Sequence, residues 1–247
     1  MLRAARRAAP ALVLVLAAVR VATAETAVER ARALIARYDE DPARLDRARQ
    51  LLEHELTRER RVEMLTALAQ VCFLSGEVRA QTDDAKLAAY TCGREAGQRA
   101  VELAPRSEEA HVWYAINTGR WGQTKGVLRS LFLLPTIRQE LDVIFELNPR
   151  SVRGHALAGN VFFEVPAVVG GSRKKAEAHY RKGLAVDPRF TVLRVDLARL
   201  LIAEGRLAEA RRELRRVLDE SAPTSIADWT MRDRPRARAL LDSIAGT

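Results

Sequence analysis

The chain has 247 residues, of which only 5% are aromatic and 30% charged. Removing the four arginines of the first 24 residues (Arg3, Arg6, Arg7 and Arg20) from the net charge of +9 leaves +5. That surplus is scattered among acids, as in Glu29, Arg30, Arg32, Asp39 and Arg44, with no basic stripe interleaved with aromatics, which argues against nucleic acid as a partner.

The first segment reads as a leader. Arg3, Arg6 and Arg7 form a positive region, Ala8 to Val19 is an apolar run of 12 residues, and Ala22-Thr23-Ala24 offers small residues where a signal peptidase reads. Residues 1–24 are therefore expected to be a secretory signal peptide cleaved after Ala24, with an uncleaved N-terminal anchor as the other reading. The run is too short for a comfortable membrane span. No Cys closely follows it, which excludes a lipoprotein anchor. Residues 25–247 contain no second apolar run of membrane length, so the mature product is expected to be exported, periplasmic and without a stable membrane span.

Past the leader, apolar spacing predicts helices at 25–38, 41–57, 60–75, 84–104, 107–120, 137–147, 152–163, 173–186, 191–204, 207–219 and 233–245. Cys72 lies late in one helix and Cys92 in the next. In an exported chain they form either a disulfide across an antiparallel pair or two buried free thiols. Neither sits in a C-x-x-C or beside a His, so redox catalysis and zinc are poor readings.

Internal similarity organises the middle of the chain. Segments opening at Pro105, Pro149 and Pro188 begin alike, each Pro ending one helix before the next starts. Ten positions after each Pro stands a small residue, Ala115, Gly159 or Ala198, where two helices can approach closely. Gly171, Ala176, Tyr180 and Gly183 are matched 34 positions later by Gly205, Ala210, Leu214 and Val217, which is the tetratricopeptide period. The prolines are 44 and 39 residues apart, so 10 and 5 extra residues are expected in the turns within hairpins, near 121–135 and 164–172. Asp233-Arg234-Pro235 predicts the start of a last helix, with Asp233 as N-cap. Its Ala237, Leu240, Leu241 and Ile244 should cover the end of the stack. The expected fold is all-α: a tetratricopeptide-type α-solenoid of about five helical hairpins plus a C-terminal capping helix.

The repeats from Glu25 onward resemble the tetratricopeptide superfamily. Ala110-His111-Val112-Trp113-Tyr114-Ala115, Phe145-Glu146-Leu147-Asn148-Pro149 and the closing Asp233 to Leu241 are more particular. They resemble the helical domain of the regulator of microtubule dynamics family and its bacterial relatives. The order of hairpins is also similar to the periplasmic T-component that accompanies some tripartite solute transporters. Ile137 and Leu141 depart from the usual seam of small and aromatic residues. The resemblance implies binding; the secretory leader argues against a microtubule role.

The repeat class also implies a concave groove faced by fixed positions of the first helix of each hairpin. Counting from Glu108, Val152 and Thr191 selects Val112, Ile116, Arg120, Asn160, Phe163, Val195, Arg199 and Ile202 as a partner-binding groove, several of which could instead pack between repeats. The segment 126–135 is the most apolar of the mature chain. It is either extra core or a lid over an apolar pocket lined by Trp113, Trp121, Leu131 and Phe132. His111 and His155 share a repeat position and read as packing or capping residues, and no metal-ligand spacing is present. Gly170-Gly171-Ser172 lacks the order of a phosphate loop and reads as a turn with Ser172 as N-cap. No catalytic triad or carboxylate pair stands out, so no enzyme, metal or cofactor is expected. Two functions follow: an exported scaffold binding a protein or peptide in its groove, or an accessory that hands a small hydrophobic ligand to a transporter.

Overall fold

Several helix starts in this chain are built by side-chain caps. The hydroxyls of Thr82, Ser107, Ser151 and Ser172 each accept from the N–H three residues on, at Ala85, Ala110, Gly154 and Lys175, and satisfy donors that the helix itself leaves open. Ser172 thus takes the role expected of it. The computed structural model describes residues 27–245, and among them there is no strand.

Helix α1 runs over 27–36. It is followed by α2 (Ala43–Leu56), α3 (Val62–Leu74, prolonged by a π turn Ser75–Arg79), α4 (Asp83–Leu103) and α5 (Glu108–Lys125). Then come α6 (Val127–Leu147), α7 (Val152–Glu164), α8 (Arg173–Val186), α9 (Thr191–Ala203) and α10 (Leu207–Leu218). A one-turn α11 (Ile226–Asp228) and a π turn (Trp229–Asp233) lead into α12 (Arg234–Ser243). Consecutive helices pack as hairpins, and the first helices of successive hairpins form the concave side.

The 34-residue pattern is a packing seam. Ala176 and Tyr180 on α8, and Ala210, Leu214 and Val217 on α10, are fully buried. Gly159 on α7 is where Tyr180 comes closest, since a Cβ there would lie 2.3 Å from the tyrosine ring. Two main cores result. One joins α1–α5 and takes in Ala227 from α11; the other joins α8–α10 with Ala237 of α12 and Ile244 just after it. A smaller cluster of Ile137, Leu141 and Ala158 bridges α6 to α7. The two seam departures therefore supply apolar volume between the main cores.

Three expectations need correction. The 10 extra residues near 121–135 form no loop: α5 extends to Lys125 and α6 begins at Val127. Gly126 alone turns the chain, at φ 108°, a region that an L side chain disfavours. Pro135 sits inside α6, where it removes one internal hydrogen bond without ending the helix. Asp233 does not cap α12. Its backbone is already helical, and its carboxylate accepts from the Thr191 hydroxyl at 2.7 Å instead. Finally, the last segment does more than cover the end of the stack. Its apolar face packs on α10, but residues 226–236 also cross the concave side and reach the first core.

Candidate functional site

The concave side is closed into a half-enclosed cavity of about 350 Å³. Its floor comes from α3, α5, α7 and α9, one side from the first half of α6, and the other from the crossing segment 225–236.

The crossing segment is held by buried charge. The π turn that ends α3 presents Glu77, which accepts from the Tyr90 hydroxyl at 2.8 Å and pairs with Arg120 at 3.3 Å and Arg232 at 3.2 Å. Burial alone would raise the Glu77 carboxyl, but Arg120, Arg232 and the Tyr90 hydroxyl together hold it below the usual range. Arg232 also pairs with Asp228 at 3.3 Å and lies over the Phe73 ring at 5.1 Å. Burial opposes its charge, yet Glu77, Asp228 and Asp233 outweigh that and keep it protonated. The Tyr38 hydroxyl of the first hairpin donates to Asp228 at 2.7 Å, across 190 residues of sequence. On the other side, Arg236 pairs with Asp196 of α9 at 3.4 Å. The last helices are thus bound to both ends of the solenoid.

The wall is mixed in chemistry. Asp196 accepts from Asn160 at 3.1 Å, Asn160 accepts from Tyr180 at 2.8 Å, and Arg199 pairs with Glu164 at 2.7 Å. Leu131, Leu133, Leu134 and Ile137 of α6 form an apolar wall with Leu157 and Val161 of α7.

Of the residues singled out from sequence, Ile116, Arg120, Asn160, Arg199, Trp113 and Leu131 line this cavity. The others do not. Val112 and Val195, at the fifth position of their helices, are buried in the protein interior. Phe163 and Ile202, at the twelfth, pack on the second core. Trp121 packs on the first core and donates to Thr91 at 3.0 Å. Phe132 is 78% exposed. The physical reason is helical phase. The cavity-lining stripe falls on the sixth and ninth positions of each first helix: Trp113 and Ile116, Leu157 and Asn160, Asp196 and Arg199. A 3.6-residue repeat with its seam at position five turns position twelve back toward the neighbouring hairpin. Sequence reasoning missed Leu157 and Asp196 at the sixth position, Arg153 at the second, and the crossing segment. A one-residue shift of the position count would have found Leu157 and Asp196; no local signal marks the crossing segment.

Away from the cavity, His111 is buried between Glu140, 2.5 Å away, and the Pro105 carbonyl, 2.9 Å away. His155 instead meets His179 at 3.1 Å, beside Phe145 and Phe162. Burial, the neighbouring imidazole and Lys182 push His179 down to about 4, and burial with Lys182 lowers His155. Both rings are neutral at pH 7. Cys72 and Cys92 are bonded, with Cα atoms 6.0 Å apart. Among the described residues no group of three or more His, Cys, Asp or Glu is placed to hold a metal, and no helix is long and apolar enough to cross a membrane.

The repeat geometry and the cavity define a tetratricopeptide-type protein, a class built as a scaffold for binding protein partners; a tetratricopeptide repeat model matches residues 171–228. The family model described as regulator of microtubule dynamics protein 1-3 matches residues 27–182, well over half of the chain, and the chain belongs to that family. It is 25% identical over 135 residues to regulator of microtubule dynamics protein 3 of Rattus norvegicus, covering 55% of this chain and 28% of that protein. The mouse protein of the same name, from Mus musculus, is 26% identical over 93 residues, covering 38% and 20%. The chain therefore spans under a third of the length of these relatives. In fold it is similar to a thermophilic tetratricopeptide repeat protein of Thermus thermophilus, with a TM-score of 0.66 and 24% identity, covering 88% of this chain and 98% of that one.

Proposed function

We propose that the chain is an exported, non-enzymatic interaction protein that takes a short segment of a partner protein into its concave cavity. One observation carries this reading: residues 225–236 and the first half of α6 narrow the groove to about 350 Å³ while leaving a mouth. An extended peptide running the length of the groove, or a helix about 10 Å across, would compete with the crossing segment for the same face. A chain end or a loop tip of a few residues would not. The leader-like sequence of residues 1–24, which lie outside the described residues, and the bonded Cys72 and Cys92 support export, because disulfides persist in oxidising compartments such as the periplasm. A second reading, a small hydrophobic solute handed to a transporter partner, draws support from the apolar wall of α6.

Gly119 provides the test. It lines the cavity, and a Cβ placed on it would touch only Ile137, at 3.7 Å, so Gly119→Leu fills the space without a backbone clash. Tagged wild type and G119L would be recovered from the periplasmic fraction of the native host, and the captured proteins and extracted small molecules compared. A protein recovered with wild type and lost with G119L supports the first reading. An apolar molecule bound one to one and lost with G119L moves the assignment to the second. Identical recoveries from both forms would remove the cavity from the account.

A further inference from the structure

Arg153 is the odd guanidinium of the cavity wall. The other four arginines there are ion-paired: Arg120 with Glu77 at 3.3 Å, Arg199 with Glu164 at 2.7 Å, Arg232 with Asp228 at 3.3 Å and Arg236 with Asp196 at 3.4 Å. Arg153, in the first turn of α7, has no ion pair or hydrogen bond to any described residue. It lies over the Trp113 ring at 5.5 Å and the Phe190 ring at 5.6 Å. Contact with two rings orients the planar fork, and its N–H donors, on an exposed side chain, have no protein partner. Three other lining residues hold buried polar atoms without a partner: Trp113 Nε1, Thr118 Oγ1 and Asp233 Oδ1.

The walls restrict what that guest carries. Glu164, Asp196, Asp228 and Asp233 line the same cavity, so a head with two negative charges would set the second against carboxylates. One unpaired guanidinium matches one negative charge, and its fork fits a carboxylate in bidentate fashion. A volume of about 350 Å³ holds roughly a dozen non-hydrogen atoms at about 30 Å³ each. Leu133, Leu134, Ile137, Leu157 and Val161 offer an apolar surface for part of them.

We propose that Arg153 binds the carboxylate of a guest whose adjoining apolar group, of roughly ten carbons or the equivalent in side chain, lies against α6 and α7. This rests on the reading of the cavity as a guest site. The carboxylate comes either from a free monocarboxylic acid or from the C-terminus of a protein chain that ends in an apolar residue.

The experiment is calorimetric titration of the whole folded protein with four probes: decanoate, decanol, a short peptide ending in leucine with a free C-terminus, and the same peptide amidated. Wild type is compared with Arg153→Met, which keeps apolar bulk over the rings, and with Gly119→Leu, which blocks the space. At least one carboxylate probe should bind wild type, tenfold or more weakly to Arg153→Met, and not to Gly119→Leu. Decanol and the amide should be weaker on wild type and indifferent to Arg153→Met. Decanoate binding alone identifies a free acid; binding of the free-ended peptide in preference to decanoate identifies a chain terminus. Equal affinity for the uncharged probes, or undiminished carboxylate binding by Arg153→Met, overturns the role of Arg153 while the cavity still takes a guest. Failure of all four probes on wild type overturns the guest site as well.

Discussion

At Asp233 a single carboxyl shows how the crossing segment sets its own conditions. One oxygen accepts from Thr191; the other, buried, has no partner. Burial, offset in part by Arg232 and Thr191, raises this carboxyl to about 6 from an ordinary 3.8. Between those pH values the folded chain holds a proton that the unfolded chain has released. Stability from this site is therefore lost as pH rises from about 4 to 6, and the full penalty is present above 6. Asp233→Asn, neutral at every pH, should raise stability at pH 7.5 by on the order of 1–3 kcal/mol and change little at pH 4. Urea unfolding at the two pH values measures it; a variant weaker than wild type at pH 7.5 but not at pH 4 would show that the charge of Asp233 is needed by Arg232. His155 and His179 act in the opposite sense. Their folded values are lowered, so the stability they contribute is lost as pH falls below about 6.5.

Among the elements, the α3–α4 hairpin carries the covalent link. Cys72 and Cys92 close a loop with a separation of 20 residues, which by chain entropy corresponds to about 3 kcal/mol. For a chain of this size that predicts a melting temperature lower by roughly 6–12 °C in reductant. An unchanged melting curve would mean that the two thiols are unbonded in solution. The hairpins themselves were legible because their signals are local: Ser107 and Ser151 cap their helices, and Ala176, Tyr180, Ala210 and Leu214 repeat the seam at 34 residues. The α6 extension was hidden by Pro135, whose usual meaning is a helix end, and by an apolar run that reads equally as core or lid. At ninth positions the groove count reached three residues that line the cavity, Ile116, Asn160 and Arg199. It took the fifth position for the sixth because a helix surface moves about 100° per residue, so an error of one exchanges wall for core.

In the whole molecule, the solenoid is closed by its own end. Tyr38–Asp228 and Arg232–Glu77 join residues 190 and 155 apart in sequence. No periodicity or cap encodes such pairings, which is why the sequence reading reached only the capping helix from Asp233 onward and not the segment before it. Removing both partners of a buried ion pair can be nearly neutral, whereas stranding one is costly, so Glu77, Asp228 and Arg232 form one unit. Closure also decides which guests compete: the crossing segment already occupies part of the concave face, and the remaining volume suits a short group rather than a long one. The measurement that bears most directly on this is amide hydrogen exchange of the isolated protein across 226–243. If the segment lies across the concave side as described, amides of the π turn and α12 should exchange as slowly as those of α9, to which both are packed. Exchange at the rate of a free peptide would mean that the concave face is open in solution and that the cavity does not exist.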